Sequence, residues 1–133
     1  MKKSLPLFVI LLLLTSTLAA QTTQRTLTFV VGDCKFEMVY VQGGSFMMGC
    51  EAKNWYIGKT DEVPLHGVTL DNYYMGRYEV TQRLWTTVMG YNPSNFEGDD
   101  LPVEQVDYAE VLEFIKKLDS LTGYRFRLPT EAE

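Results

Sequence analysis

A single histidine, His66, and two cysteines, Cys34 and Cys50, are the only imidazole and thiol groups among the 133 residues. No cysteines stand at zinc-ligand spacing, so zinc chemistry has little support. His66 lies between Pro64 and an extended run. A structural hydrogen bond accounts for it better than catalysis, because one imidazole alone lacks the partners that orient a working base. Basic residues are also few, with 12 Lys and Arg against 17 Asp and Glu and a net charge of −5. No basic stripe exists for a nucleic-acid backbone to follow, which sets nucleic-acid binding aside. A long apolar run occurs once, from Leu5 to Leu14, and it is shorter than the ~20 residues a membrane-spanning helix needs. Beyond it there is neither a repeat nor a low-complexity tract.

That apolar run follows Lys2 and Lys3 and leads into Thr15, Ser16, Thr17, Leu18, Ala19 and Ala20. A charged start, an apolar core and small residues at the end are the pattern of a secretory signal peptide cut after Ala19 or Ala20, the alternative being a retained anchor. With no Cys at the cut, a lipoprotein is not expected. Cleavage removes two lysines and takes the net charge from −5 to about −7. At 46% apolar and 13% aromatic residues the remainder can bury one modest core. Export makes a disulfide the first suspicion for Cys34 and Cys50. In a hairpin turning at Gly43 and Gly44, however, Cys50 falls opposite Glu37, about 10 Å from Cys34 and beyond bridging range. A bulge, partners outside the chain and free thiols all remain open.

The extended runs are Leu27 to Val31 and Lys35 to Val41, the second leading through Gly43 and Gly44 into Ser45 to Gly49 as a β-hairpin. In that hairpin Phe46 and Met48 share a face with Val39 and Val41, and Met47 sits with Tyr40. An anion-binding role for the glycines is disfavoured because no helix pattern follows them. Glu51 to Leu65 has no period and reads as a loop. Val68 to Leu70 and Tyr73 to Tyr78 read as strands separated by the turn pair Asp71 and Asn72. The period then changes. Thr81 caps a helix carrying Leu84, Trp85, Val88 and Met89 and stopped by Gly90. After an irregular stretch from Asn92 to Pro102, Asp107 and Glu110 form a capping box. The second helix places Tyr108, Val111, Leu112, Ile115 and Leu118 on one side and ends at Gly123. Glu113, Lys116, Lys117 and Asp119 fall largely on its solvent side. Thr130 and Glu133 form another capping box, with Pro129 before it. An isolated first turn is unstable, so further residues are expected to complete this helix.

Candidate binding residues are few. Asp61 with Glu62, and Asp99 with Asp100, could supply oxygens to calcium, but neither pair has the spacing of a dedicated loop, and solvated carboxylates explain them. Trp55, Tyr56, Trp85 and Tyr91 could stack on a sugar or peptide. Trp85 lies on an apolar helix face and reads as core, which leaves Trp55, in a polar loop, as the better surface candidate.

Five segments carry a resemblance. They are Met38 to Gly49 (Met-Val-Tyr-Val-Gln-Gly-Gly-Ser-Phe-Met-Met-Gly), Pro64 to Leu70 (Pro-Leu-His-Gly-Val-Thr-Leu), Tyr78 to Thr81 (Tyr-Glu-Val-Thr), Leu101 to Val103 (Leu-Pro-Val) and Arg127 to Glu133 (Arg-Leu-Pro-Thr-Glu-Ala-Glu). In this order they resemble the front half of the sulfatase-modifying factor family, the formylglycine-generating enzymes. The resemblance implies an α+β fold of the C-type-lectin-like kind with much irregular structure, incomplete here. It also implies a division into a signal peptide (1–20), a lead with the first strands (21–37) and the N-terminal part of the domain (38–133).

Active members bind copper through a cysteine pair and use oxygen to convert a sulfatase cysteine to formylglycine. Those cysteines, and the family's calcium sites, are expected downstream of this chain. Cys34 and Cys50 match no catalytic position, so no catalytic, cofactor-binding or metal residue is carried over. Copper, calcium and a sulfatase partner belong to the full domain. The expectation is a periplasmic or extracellular piece of such a domain, inactive alone, and residues 21–133 by themselves are expected to be poorly ordered or to aggregate. The competing reading is a non-catalytic binding or scaffold module of an exported assembly. An iron enzyme of sulfur oxidation would want a histidine cluster that His66 cannot provide.

Overall fold

The computed structural model describes residues 25–51 and 63–133. The segment expected to be a signal peptide and the candidates Trp55, Tyr56, Asp61 and Glu62 lie outside the described residues. Five strands precede two helices: β1 (Thr26–Val31), β2 (Cys34–Val41), β3 (Gly44–Met48), β4 (His66–Leu70), β5 (Tyr73–Gly76), α1 (Gln82–Met89) and α2 (Tyr108–Thr122). The mixed α+β character agrees with the sequence reading.

β1 and β2 form a tight antiparallel hairpin through Gly32 and Asp33, with Val31 opposite Cys34 and Phe29 opposite Phe36. Gly32 makes this turn possible because its φ is +59°, in the left-handed region that side chains disfavour. β5 joins the other side of β2, giving a three-stranded sheet in the order β1-β2-β5, and β3 pairs with β4 in a separate two-stranded sheet.

The expected hairpin between β2 and β3 does not form: Gly43 and Gly44 are not a turn. Val41 pairs with Tyr73 in one ladder and Gly44 with Leu70 in the other, three residues on along one strand and three back along its partner. The register is therefore continuous. β2 and β3 run together against β4 and β5 as one long antiparallel ladder, broken where Gln42 and Gly43 pass Asp71 and Asn72. The likeness of Gly-Gly to a turn reflects a close approach instead. A Cβ built on Gly43 would lie 2.2 Å from the Leu70 carbonyl oxygen, a distance no side chain tolerates. The Gly43 N–H donates to Asn72 Oδ1 at 2.8 Å, so Asn72 occupies the bond that the interrupted ladder gives up. Asp71 and Asn72 likewise carry the chain from one sheet to the other.

Both helices follow their capping signals. Thr81 sits in extended geometry and its Oγ1 accepts from the Leu84 N–H, while Gly90, at φ +89°, closes α1. Asp107 and Glu110 satisfy each other's backbone N–H groups in a full capping box, and Gly123 closes α2 at φ +74°. The buried stripe of α2 is rotated from the expected one. Phe114 and Leu118 are its buried residues, Val111 and Ile115 pack beside them, and Tyr108 and Leu112 are 68% and 46% exposed. Positions 111, 114, 115 and 118 make the narrower i, i+3, i+4, i+7 stripe, and the Phe114 ring gives that choice the larger burial.

The core is small. Val31 and Cys34 from the hairpin meet Leu84, Trp85 and Val88 of α1 and Phe114 and Leu118 of α2. Trp85, 1% exposed, stacks on Phe114 with ring centroids 5.0 Å apart and planes 5° from parallel. Beside it Phe29 stacks on Phe36 and meets Tyr124 and Phe126 edge-on, which ties residues 124–126 to the sheet. Among the described residues no helix is long and apolar enough to cross a membrane.

Candidate functional site

Gln82, the first residue of α1, is 2% exposed and organises the irregular stretch that follows the helix. Its Nε2 donates to the Phe96 and Pro102 carbonyls at 2.8 and 3.1 Å. Its Oε1 accepts from Asn92 Nδ2 at 2.8 Å and from the Gly98 N–H at 3.0 Å. A buried amide is tolerated because its donors and acceptors are used in this way. Glu104 Oε1 accepts the N–H groups of Asn95 and Phe96, and Ser94 Oγ accepts that of Glu104. Thr81 bridges Pro102 in antiparallel fashion, and the Val103 N–H donates to the Val80 carbonyl at 2.9 Å. The stretch from 91 to 104 is thus pinned by side-chain hydrogen bonds in place of regular secondary structure.

Two concave surfaces flank this frame. The first, of about 680 Å³, is lined by Asp33, Cys34, Lys35, Glu79, Arg83 and Asp100 among others. Its charges partly satisfy one another, since Arg83 reaches Asp99 at 3.3 Å and Asp100 at 3.5 Å. Asp99 and Asp100 are therefore tied to a cation. Cys34 is only 4% exposed. Burial pushes its thiol above the usual pKa, Arg83 opposes the shift, and Asp33 and Asp100 add to it. A thiol held in its protonated form is a poor nucleophile and a poor metal ligand.

The second concavity, of about 1100 Å³, is a mainly apolar groove between the sheet, α2 and the segment beyond it, with Phe36, Met38, Tyr74, Ile115, Phe126 and Leu128 in its wall. The Asp119 carboxylate accepts the Phe126 N–H at 2.8 Å and holds one end of that segment. At the other end Arg127 grips both carboxylate oxygens of Glu133. Glu133 also accepts the Thr130 N–H at 2.8 Å, its own N–H donates to Thr130 Oγ1, and Tyr73 donates to its carbonyl at 3.0 Å. The expected Thr130–Glu133 capping box is thus present. The Arg127 side chain, then the Thr130 backbone, pull the Glu133 carboxyl down to a pKa of about 2.

The remaining sequence candidates stand apart. His66 is exposed and its Nδ1 lies 2.9 Å from the Pro64 carbonyl oxygen, the structural hydrogen bond expected of it. Trp85 is core, and its buried Nε1 has no acceptor among the described residues. Tyr91 is 42% exposed but its hydroxyl donates to Glu110 Oε1 at 2.7 Å, and that bond raises its pKa. Cys34 and Cys50 are both free thiols. Cys34 opens β2 against the helices and Cys50 lies past the end of β3, so the lengths of both strands separate them. Among the described residues no three His, Cys, Asp or Glu side chains converge as a metal site.

Sequence reasoning missed two features. Gln82 could have been noticed as a polar residue next to a cap on the buried side of an amphipathic helix, although nothing local names its partners. Arg127 lies in the same motif as the capping box, and its alignment with Glu133 depends on the bend between them.

The comparisons with known proteins converge on one family. The chaperone protein LppX of Paenibacillus barcinonensis is 41% identical over 78 residues, 59% of this chain and 24% of that protein. The solved structure of Treponema denticola variable protein 1 superimposes with a TM-score of 0.62 at 31% identity, covering 74% of this chain and 36% of its own. PvdO from Pseudomonas aeruginosa gives a TM-score of 0.65 at 28% identity, with 83% of this chain and 49% of PvdO covered. The chain therefore spans about a quarter of LppX and between a third and a half of the two solved chains. The model of the sulfatase-modifying factor enzyme 1-like domain matches residues 30–133, and the chain belongs to that family.

Proposed function

We propose that this chain is the front part of an exported formylglycine-generating-enzyme-like domain, a frame that has no oxidation centre of its own and onto which the rest of such a domain packs. The observation that carries the reading is the placement of the thiols. Copper(I) favours thiolates held in a fixed geometry, whereas Cys34 is buried and protonated in the core and Cys50 lies beyond the far strand. The partial coverage of the solved relatives and the apolar groove among the described residues support the same reading. No reaction step is assigned to residues of this chain. In a complete domain, copper, calcium and a sulfatase substrate would be engaged by the polypeptide that the frame supports.

The test is to titrate the purified chain with copper(I) against a competing chelator, then to incubate it with oxygen and a cysteine-containing peptide taken from a sulfatase. The expected result is no stoichiometric thiolate–copper site and no aldehyde in the peptide. One tightly bound copper with formylglycine formation would sink the proposal. Export rests on Lys2, Lys3 and the apolar run from Leu5 to Leu14. It predicts that the protein recovered outside the cytoplasm begins at Ala20 or Gln21, and an intact N-terminus on a cytoplasmic protein would contradict it.

A second reading, a non-catalytic binding or scaffold module, is favoured by the likeness to LppX, a chaperone protein. The two readings separate on the coding sequence that follows Glu133. A cysteine pair there supports the oxidase, and its absence supports the scaffold.

A further inference from the structure

We draw no further inference here: the strongest candidate, the apolar groove between the three-stranded sheet, the second helix and the 124–129 segment, belongs to the frame already described, and nothing in the structure shows what covers it.

Discussion

The sheet of β1, β2 and β5 carries α1 and α2 on its face, whereas β3 and β4, which extend the same ladder, touch no other described helix or strand. The contrast is visible residue by residue. Val31 and Cys34 are buried where β1 turns into β2, while Phe46 and Met47 on β3 are 43% and 60% exposed. The pairing register runs on unbroken through both halves, so register does not set the difference, although β3 and β4 each carry a glycine and fewer β-branched and aromatic residues than β1 and β2. What differs is whether an apolar helix face is available to cover the strands. A two-stranded sheet alone is marginal in water, and among the described residues the outer arm is accordingly the part with least to hold it.

The strongest way to break this comparison is to empty the core. Trp85→Ala removes the ring stacked on Phe114 and should cost about 3–5 kcal/mol. The expected readout is loss of hydrogen-exchange protection across both helices and the three-stranded sheet, with a smaller change in the β3–β4 arm because no described helix packs on it. The crossing comes next. Gly43→Ala places a methyl against the Leu70 carbonyl oxygen, and overpacking of this kind costs about 1–3 kcal/mol. It should uncouple the arms and raise exchange at Gly44–Met48 and His66–Leu70 while α1 stays protected.

Acid sharpens the comparison at the groove rim. The Glu133 carboxyl has a folded pKa of about 2 against 4.5 for the free group, so its contribution is complete above pH 4.5 and is lost as the pH falls toward 2. Exchange at residues 127–133 should rise across that window, and Glu133→Gln should show the raised rate already at neutral pH. The smallest effect belongs to the arm itself. Phe46→Ala should change stability by no more than about 0.5 kcal/mol, as for a surface position. A loss comparable to that of Trp85→Ala would mean that the arm is packed after all.

What could be read from the sequence divides along the same line. Caps act over three or four residues, so Thr81, Gly90, Asp107, Glu110, Gly123 and the Thr130–Glu133 box all stand where the sequence places them. Pairing acts over the whole ladder. Gly43 and Gly44 carry a local turn signal, but the partner that overrides it, Asp71 with Asn72, arrives 28 residues after Gly43 and lends no local sign. The α2 stripe shows the same limit. Periodicity allows Leu112 or Phe114 inward, and only the Trp85 ring on the facing helix decides for Phe114. The candidate site was barely legible: the argument against a bridge between Cys34 and Cys50 rested on a Gly43–Gly44 hairpin that does not form, and the separation that does keep them apart, the combined length of β2 and β3, depends on the fold.

If this chain is a frame whose groove and arm await covering polypeptide, its own stability should betray the lack. Calorimetric melting of residues 21–133, on material whose state of association is fixed by sedimentation, reads that stability. A broad, weakly cooperative transition, or association through the apolar surfaces, is the expected outcome. A monomer that melts in one sharp cooperative transition would contradict it.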